Sequence, residues 1–212
     1  VTATLQGRGQ WVGYCDANVD GITVVAQRST SAELAGHIHF NNVAISAENT
    51  LAINGRATEL LEWQAQRTYT AMAAQQVGIL GEGLKRAAEY TNERKQFGRS
   101  LSSFQAVSQQ AADGYMAIEA LRGVYWRALD DFENTGSAEL SSRVAKFWIA
   151  EAGHVAAHIF LHIHGGIGQD LDYPLHRFFI WAKKNELYLG GASQHAVALG
   201  ALIKANPERV AI

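Results

Sequence analysis

The sequence predicts a mainly α protein, an antiparallel helical bundle preceded by part of a small antiparallel β-domain. Three observations lead there. The 212 residues contain two prolines, Pro174 and Pro207, so long helices are permitted over the first 173 positions. Glycines at positions 7, 9, 13 and 21 punctuate short β-branched and aromatic runs. After Asn54-Gly55 the apolar residues recur every three or four positions instead of every two. The expected division is therefore 1–53 for the β segment and 54–212 for the helical domain.

In the first region, Gln10-Trp-Val-Gly-Tyr14 and Gly21-Ile-Thr-Val-Val-Ala26 read as short antiparallel strands. His37-Ile-His-Phe-Asn-Asn-Val-Ala-Ile45 alternates Ile38 and Phe40 with His37, His39 and Asn41, and Val43 and Ile45 keep the period of two. That predicts one strand with a bend near Asn41 and Asn42. Helix one is expected from about Thr58 to Thr91, on a stripe of Leu61, Ala65, Tyr69, Met72, Ala73, Ile79, Leu80, Leu84 and Ala87 that Gln76 interrupts. A polar loop containing Gly98 follows. Phe104, Val107, Ala111, Tyr115, Ile118, Leu121, Tyr125, Leu129 and Phe132 then mark a second helix, whose end Asn134-Thr-Gly136 signals. A third opens near Ser137 with Leu140, Val144, Phe147, Trp148, Ala152, Val155 and Ile159 on its buried side, and stops at Gly165-Gly166. Asp172 to Pro174 start a shorter fourth helix, and a fifth runs from about Ala192 to Lys204. Long helices with brief connections fit an antiparallel bundle.

Composition excludes several classes. Lys and Arg total 18 against 20 Asp and Glu, a net charge of -2, which argues against a nucleic-acid partner. No apolar stretch approaches the roughly 20 residues that span a bilayer, so no membrane partner is expected. Cys15 is the single cysteine and no signal-peptide pattern opens the chain, which makes the reducing cytoplasm the expected compartment. Charged residues make up 18% of the chain, below the roughly 25% usual for soluble proteins, a hint that partner chains cover part of the surface.

Chemistry is concentrated in two places. Glu93-Arg-Lys-Gln-Phe-Gly-Arg99 puts four charges, an aromatic and a glycine between two long helices. Arg94 there can offer a bidentate fork to an anion, or the segment is a solvated turn with cations at a helix C-terminus. His154, His158 and His162 recur every four residues on the third helix, with His164 just beyond. The stripe suits a metal by spacing, yet Glu151 is the nearby carboxylate and no Glu-x-x-His pair answers it, so histidines lining an interface or cofactor pocket are the expectation and no metal site is assigned. Gly165-Gly166-Ile-Gly168 follows a helix, not a strand, which excludes the Walker and dinucleotide fingerprints and leaves close backbone approach to a helix or ligand. No Gly-x-Ser-x-Gly or Cys-His pairing suggests a covalent hydrolase. Trp63, Trp126, Trp148 and Trp181 read as core or interface anchors.

Six segments in order carry a resemblance: Phe40-Asn-Asn-Val-Ala-Ile-Ser-Ala-Glu-Asn49, Tyr90-Thr-Asn-Glu-Arg-Lys-Gln-Phe-Gly98, Phe104-Gln105, His164-Gly-Gly-Ile-Gly168, Asp172-Tyr-Pro-Leu-His-Arg177 and Ala182-Lys183. Together they resemble the acyl-CoA dehydrogenase family. The resemblance implies that residues 1–53 are the later part of a middle β-domain, that 54–212 are the C-terminal helical domain, and that the chain is part of a family-length protein. It implies FAD held between subunits, with Arg94, Phe97, Gln105, Gly165 and Gly166 at the cofactor and His162 where the family often has glutamine. It implies an acyl-CoA substrate that loses an α-proton to a glutamate and a hydride to flavin, and electron-transfer flavoprotein as acceptor. The two positions the family uses for that glutamate fall on Thr68 and on Leu189, or Gly190 with a one-residue slip, so no catalytic residue is assigned. Glu186, about one turn from Leu189, is the candidate for a displaced base. A chain that keeps flavin-edge motifs without a base resembles the non-catalytic member of the α2β2 actinobacterial enzymes acting on steroid side chains, whose partner chain carries the glutamate. The alternatives are a flavin-free scaffold subunit and a metal-binding bundle.

Overall fold

The computed structural model describes residues 1–5, 7 and 9–210. It divides into two compact units, Val1–Ala65 and Gln66–Ile212. In the first, β1 (Thr2–Leu5), β2 (Gly9–Gly13) and β5 (Thr50–Ile53) form an antiparallel sheet in the order β1-β2-β5, with a register shift at Val12/Gly13. Trp11 Nε1 donates to Thr50 Oγ1 at 3.0 Å across the sheet. β3 (Ile22–Arg28) and β4 (Leu34–Phe40) pair as a separate hairpin.

The strand expected over 37–45 is corrected by this hairpin. β4 begins earlier, at Leu34, and ends at Phe40, because Asn42 takes a positive φ of 52° and turns the chain. Val43 and Ile45 therefore lie outside any strand, lining an apolar hollow with Trp11 and Phe40.

The second unit is helical. α1 (Asn54–Glu93) enters it from the first, and α2 (Gln105–Thr135), α3 (Glu139–His164), α4 (Leu175–Leu187) and α5 (Ala192–Ala205) follow. Between α1 and α2 the expected polar loop is a short hairpin, β6 (Lys95–Gln96) with β7 (Arg99–Ser100). Gly136 at φ 74° ends α2 by returning its N–H to Phe132 O, and Pro174 stands at the N-cap of α4. Gln66 lies beside the start of α3 and Gly83 beside Phe160, so α1 and α3 run parallel; Gly114 meets Leu84 and Ile159, so α2 runs against both. α4 runs against α3, with Ala182 near Ile149 through Gln76 and Phe179 against His158. Among the described residues no helix is long and apolar enough to cross a membrane.

α3 is central, packed by α2, α4 and α5 and by the α1 residues of the shared core. Its buried face is mostly small: Ser141, Ser142, Ala145, Ala152, Gly153, Ala156 and Ala157, with Lys146, Ile149 and Phe160 among them. The larger residues expected to be buried, Leu140, Val144, Phe147, Trp148 and Ile159, are half-buried, and Val155 is exposed. Close approach of helix axes requires small side chains on the contact face, so the bulky ones move to its flanks. Gly153 shows the need directly, since a Cβ there would collide with the Gln76 amide. Tyr115, which the apolar spacing predicts on the buried face, is exposed, and so are Trp63 and Trp126, expected as core or interface anchors.

Candidate functional site

The candidate residues gather at the two ends of the α1–α3 pair. At one end, Arg94 closes α1, its N–H on Tyr90 O at 2.8 Å and its carbonyl accepting from Leu101 N–H at 2.9 Å. Its side chain is exposed and makes no polar contact with another described residue. Phe97 and Gly98, at φ 52° and 78°, form the mirror-image turn favoured by two-residue hairpins. Glycine suits that turn; phenylalanine does not, and its ring is 92% exposed at the tip. Arg99 stacks its guanidinium 4.0 Å from the Phe104 ring centre, and Gln105 opens α2 in an exposed position.

Ring stacking ties the end of α3 to the end of α1, just before this hairpin. His164 lies 4.6 Å from the Tyr90 ring, nearly parallel, its Nδ1–H donating to Phe160 O at 2.7 Å and its Nε2 accepting from Tyr173 Oη at 3.2 Å. Burial lowers its pKa, against the Phe160 contact, so the ring is neutral at pH 7. His164 thereby brings Gly165 and Gly166 to the same end as Arg94. Both glycines are exposed, and a Cβ on either would meet nothing within 4 Å. His162 reaches Gln110 Oε1 on α2 at 3.0 Å, which joins Gln105's helix to the group. All six cofactor-edge candidates thus share one end of the bundle.

The histidine stripe divides. His154 Nδ1 is 3.3 Å from Glu186 Oε1, and Lys183 holds the other carboxylate oxygen at 2.5 Å. The His158 ring lies 4.4 Å from that of His154, tilted by 40°, and its Nδ1–H donates to the His154 carbonyl. Among the described residues no three His, Cys, Asp or Glu side chains converge to hold a metal. Glu186 faces this cluster with its carboxylate held by a cation.

At the opposite end stand Thr68 and Leu189. Thr68 is half-buried on α1 beside Tyr69, whose ring meets His195 edge-on at 5.3 Å. His195 Nε2–H donates to Leu189 O at 2.9 Å, so the two segments are joined through one imidazole. Burial lowers the His195 pKa; the Leu189 contact opposes this, and the charges of Lys146 and Arg143 add to it. Leu189 is half-exposed at φ 60° and Gly190 follows at φ 103°. Beneath them Lys146 is fully buried, its Nζ on the carbonyls of Asn185, Glu186 and Gly190 at 3.2, 3.3 and 2.7 Å. Sequence reasoning passed over Lys146 and His195, and gave Tyr90 no role beyond opening the Tyr90–Gly98 segment. The available signal was a lysine inside the small-residue face of α3.

A family description, the C-terminal domain of acyl-CoA dehydrogenase, matches residues 55–201. FadE27 of Mycobacterium tuberculosis, an acyl-CoA dehydrogenase, is 36% identical over 195 residues, 88% of this chain and 51% of that protein. This chain belongs to the acyl-CoA dehydrogenase family. The fold agrees with that of other acyl-CoA dehydrogenases. The ChsE4-ChsE5 complex from M. tuberculosis superposes with a TM-score of 0.84 at 35% identity, over 93% of this chain and 53% of that one. A steroid acyl-CoA dehydrogenase variant, Tcur3481-Tcur3483, gives 0.85 at 38% identity, over 94% and 53%. The chain spans about half the length of the curated relatives it matches.

Proposed function

We propose that the chain is the non-catalytic subunit of an FAD-dependent acyl-CoA dehydrogenase, contributing a flavin edge to a hetero-oligomer whose other chain carries the glutamate base. The observation that carries this reading is the Leu189–Gly190 turn, fully braced from beneath yet bearing leucine, with threonine at position 68 and the nearby Glu186 tied to Lys183. An α-proton of a thioester needs a carboxylate within hydrogen-bond reach, and neither position supplies one.

The residues at the other end fit the cofactor. Arg94, exposed and without a polar side-chain contact to another described residue, offers a planar set of donors suited to a pyrophosphate. Gly165 and Gly166 leave room for a ligand against the backbone. Phe97 and Gln105 supply an aromatic face and an amide. FAD, when bound, accepts the hydride lost from the β-carbon of the thioester. From Thr68 to Glu93, the last residue of α1 and the neighbour of Arg94, is 25 residues of one helix, about 38 Å at 1.5 Å per residue. That separation favours different flavins for the two ends, one edge given by this chain to a neighbour's cofactor. Two of the similar structures are a two-chain complex and a steroid acyl-CoA dehydrogenase by name, which favours a steroid CoA thioester as substrate; electron-transfer flavoprotein as acceptor rests on the family resemblance.

One observation favours the flavin-free scaffold instead. His162 already engages Gln110, where the resemblance assigns a cofactor contact. The visible spectrum and chain composition of the protein purified from its native host separate the two. Bound flavin with a second, glutamate-bearing dehydrogenase chain is expected, and Arg94→Ala should lose flavin while the assembly persists. A colourless homo-oligomer would replace this reading with the scaffold.

A further inference from the structure

Four carbonyls close α4, and each has a donor. A helix leaves its last four C=O groups without intrahelical partners. Tyr188 N–H reaches Lys184 O at 2.8 Å and Gly190 N–H reaches Leu187 O at 3.1 Å. The two between them, Asn185 O and Glu186 O, accept from Lys146 Nζ, a side chain of α3. The same ammonium makes its shortest contact, 2.7 Å, with Gly190 O. Its three protons thus cap one helix from the side and bind the turn that follows it.

That turn needs holding. Leu189 occupies the left-handed region that L side chains avoid, and Gly190 lies further into it. A Cβ at 190 would come within 2.9 Å of Gln194 Oε1 and 3.1 Å of His195 Nε2, so glycine is required there. His195 anchors Leu189 O, and Gln194 Oε1 accepts from Gly191 N–H at 3.2 Å. Behind Lys146, Asn185 Nδ2 donates to Gln75 and Gln76 at 3.0 Å each, and Gln76 Nε2 donates to Ile149 O and Ala182 O. Polar groups from α1, α3, α4 and α5 therefore converge under one short turn. Such groups are costly to bury unless mutually satisfied, and here their shared product is a fixed backbone at 189 and 190.

We propose that Lys146 is a positioning residue: by capping α4 and gripping Gly190 it sets the Leu189–Gly190 backbone, and hence the direction in which side chain 189 is presented, whatever that side chain is. Assigning the presented side chain to the acyl-CoA face rests on the function proposed above; the grip does not.

The test is amide hydrogen exchange on the native assembly, comparing peptides over 185–195 with the α2 interior over 114–128. Lys146→Met should raise exchange across 185–191 by about tenfold or more and leave the α2 peptides within about twofold, as expected for a local opening. Adding Leu189→Asn, which tolerates a left-handed backbone, should restore several-fold of that protection, whereas equal loosening of both regions, or none, overturns the proposal. Gly190→Ala provides a version that leaves the core intact. It should loosen the turn and expose Lys146 to amine-directed acetylation together, and a turn that loosens while Lys146 stays unreactive refutes the grip. Protection of the same peptides by an acyl-CoA is read separately. Its absence would count against the substrate-face reading and leave the Lys146 result standing.

Discussion

Raising the pH above 8 should stabilise the helical unit, and Lys146 supplies the amount. Burial lowers its pKa from 10.5 to about 8, against a smaller opposing pull from the Glu186 carboxylate. His195 from α5 and Arg143 from its own helix are the other charged or titratable groups close by. Unfolded, the same amine titrates near its ordinary value. Below pH 8 both states hold the proton and Lys146 contributes no slope. Between 8 and 10.5 the unfolded chain binds a proton that the folded chain has released, so stability climbs with pH at up to about 1.4 kcal/mol per unit, or about 2 to 3 kcal/mol across the interval. The assay is urea unfolding followed by far-UV circular dichroism from pH 7 to 10.5, for the wild type and Lys146→Met. Taking the difference cancels the titration of every other group. It should be flat to about pH 7.5 and then grow in favour of the wild type by about 2 to 3 kcal/mol. A difference flat over the whole range would mean that Lys146 titrates as a solvated amine, and the buried grip would be wrong.

His164 and His195, both lowered by burial, should produce a second transition on the acid side. Below their ordinary value near 6.5 the unfolded chain binds more protons, so stability falls with pH, and His195→Gln should flatten part of that slope in the same titration. The glycines of the bundle should separate by environment in thermal melts: Gly153→Ala, whose Cβ would strike the Gln76 amide, should cost about 1 to 3 kcal/mol. Gly78→Ala, with nothing within 4 Å, should gain about 0.5 to 1 kcal/mol of helix propensity. Phe97→Asn relieves the positive φ at the hairpin tip, so it should raise stability by about 1 kcal/mol while lowering flavin content in the assembly. Flavin unchanged by that variant would remove Phe97 from the cofactor edge.

Much of the helical unit was legible because its signals are local. Gly136 ends α2 where Asn134-Thr-Gly136 said it would, and Pro174 precedes α4 as expected. β1 and β5 were missed because four-residue strands carry too little alternation to register, and their pairing with β2 spans up to some forty residues of sequence. The start of α3 was placed near Ser137, but its N-cap is Ala138, which has no capping side chain of its own. The cap comes from Gln66 on α1, whose Oε1 accepts from Ala138 N–H at 2.9 Å and from Ser137 Oγ at 3.2 Å. A capping group supplied from 72 positions away leaves no trace in a local pattern.

The same reason explains why the site was half legible. Arg94, Phe97 and the glycine pair could be named from type and spacing, because anion forks and open backbone are properties of a few adjacent residues. The groups that place them are properties of the packed bundle: Tyr90 against His164 at one end, Lys146 and His195 at the other. Gln76, read as an interruption of the apolar stripe, is fully buried and makes hydrogen bonds to polar groups of two other helices, α3 and α4. A polar residue interrupting a buried stripe in a bundle of this kind therefore marks where another helix brings polar groups within its reach. Lys146 meets that condition on α3 as Gln76 does on α1, and both lead to Asn185, one residue before the carboxylate held by Lys183 and four before Leu189. Substituting either should thus disturb the same turn, although neither is near it in sequence.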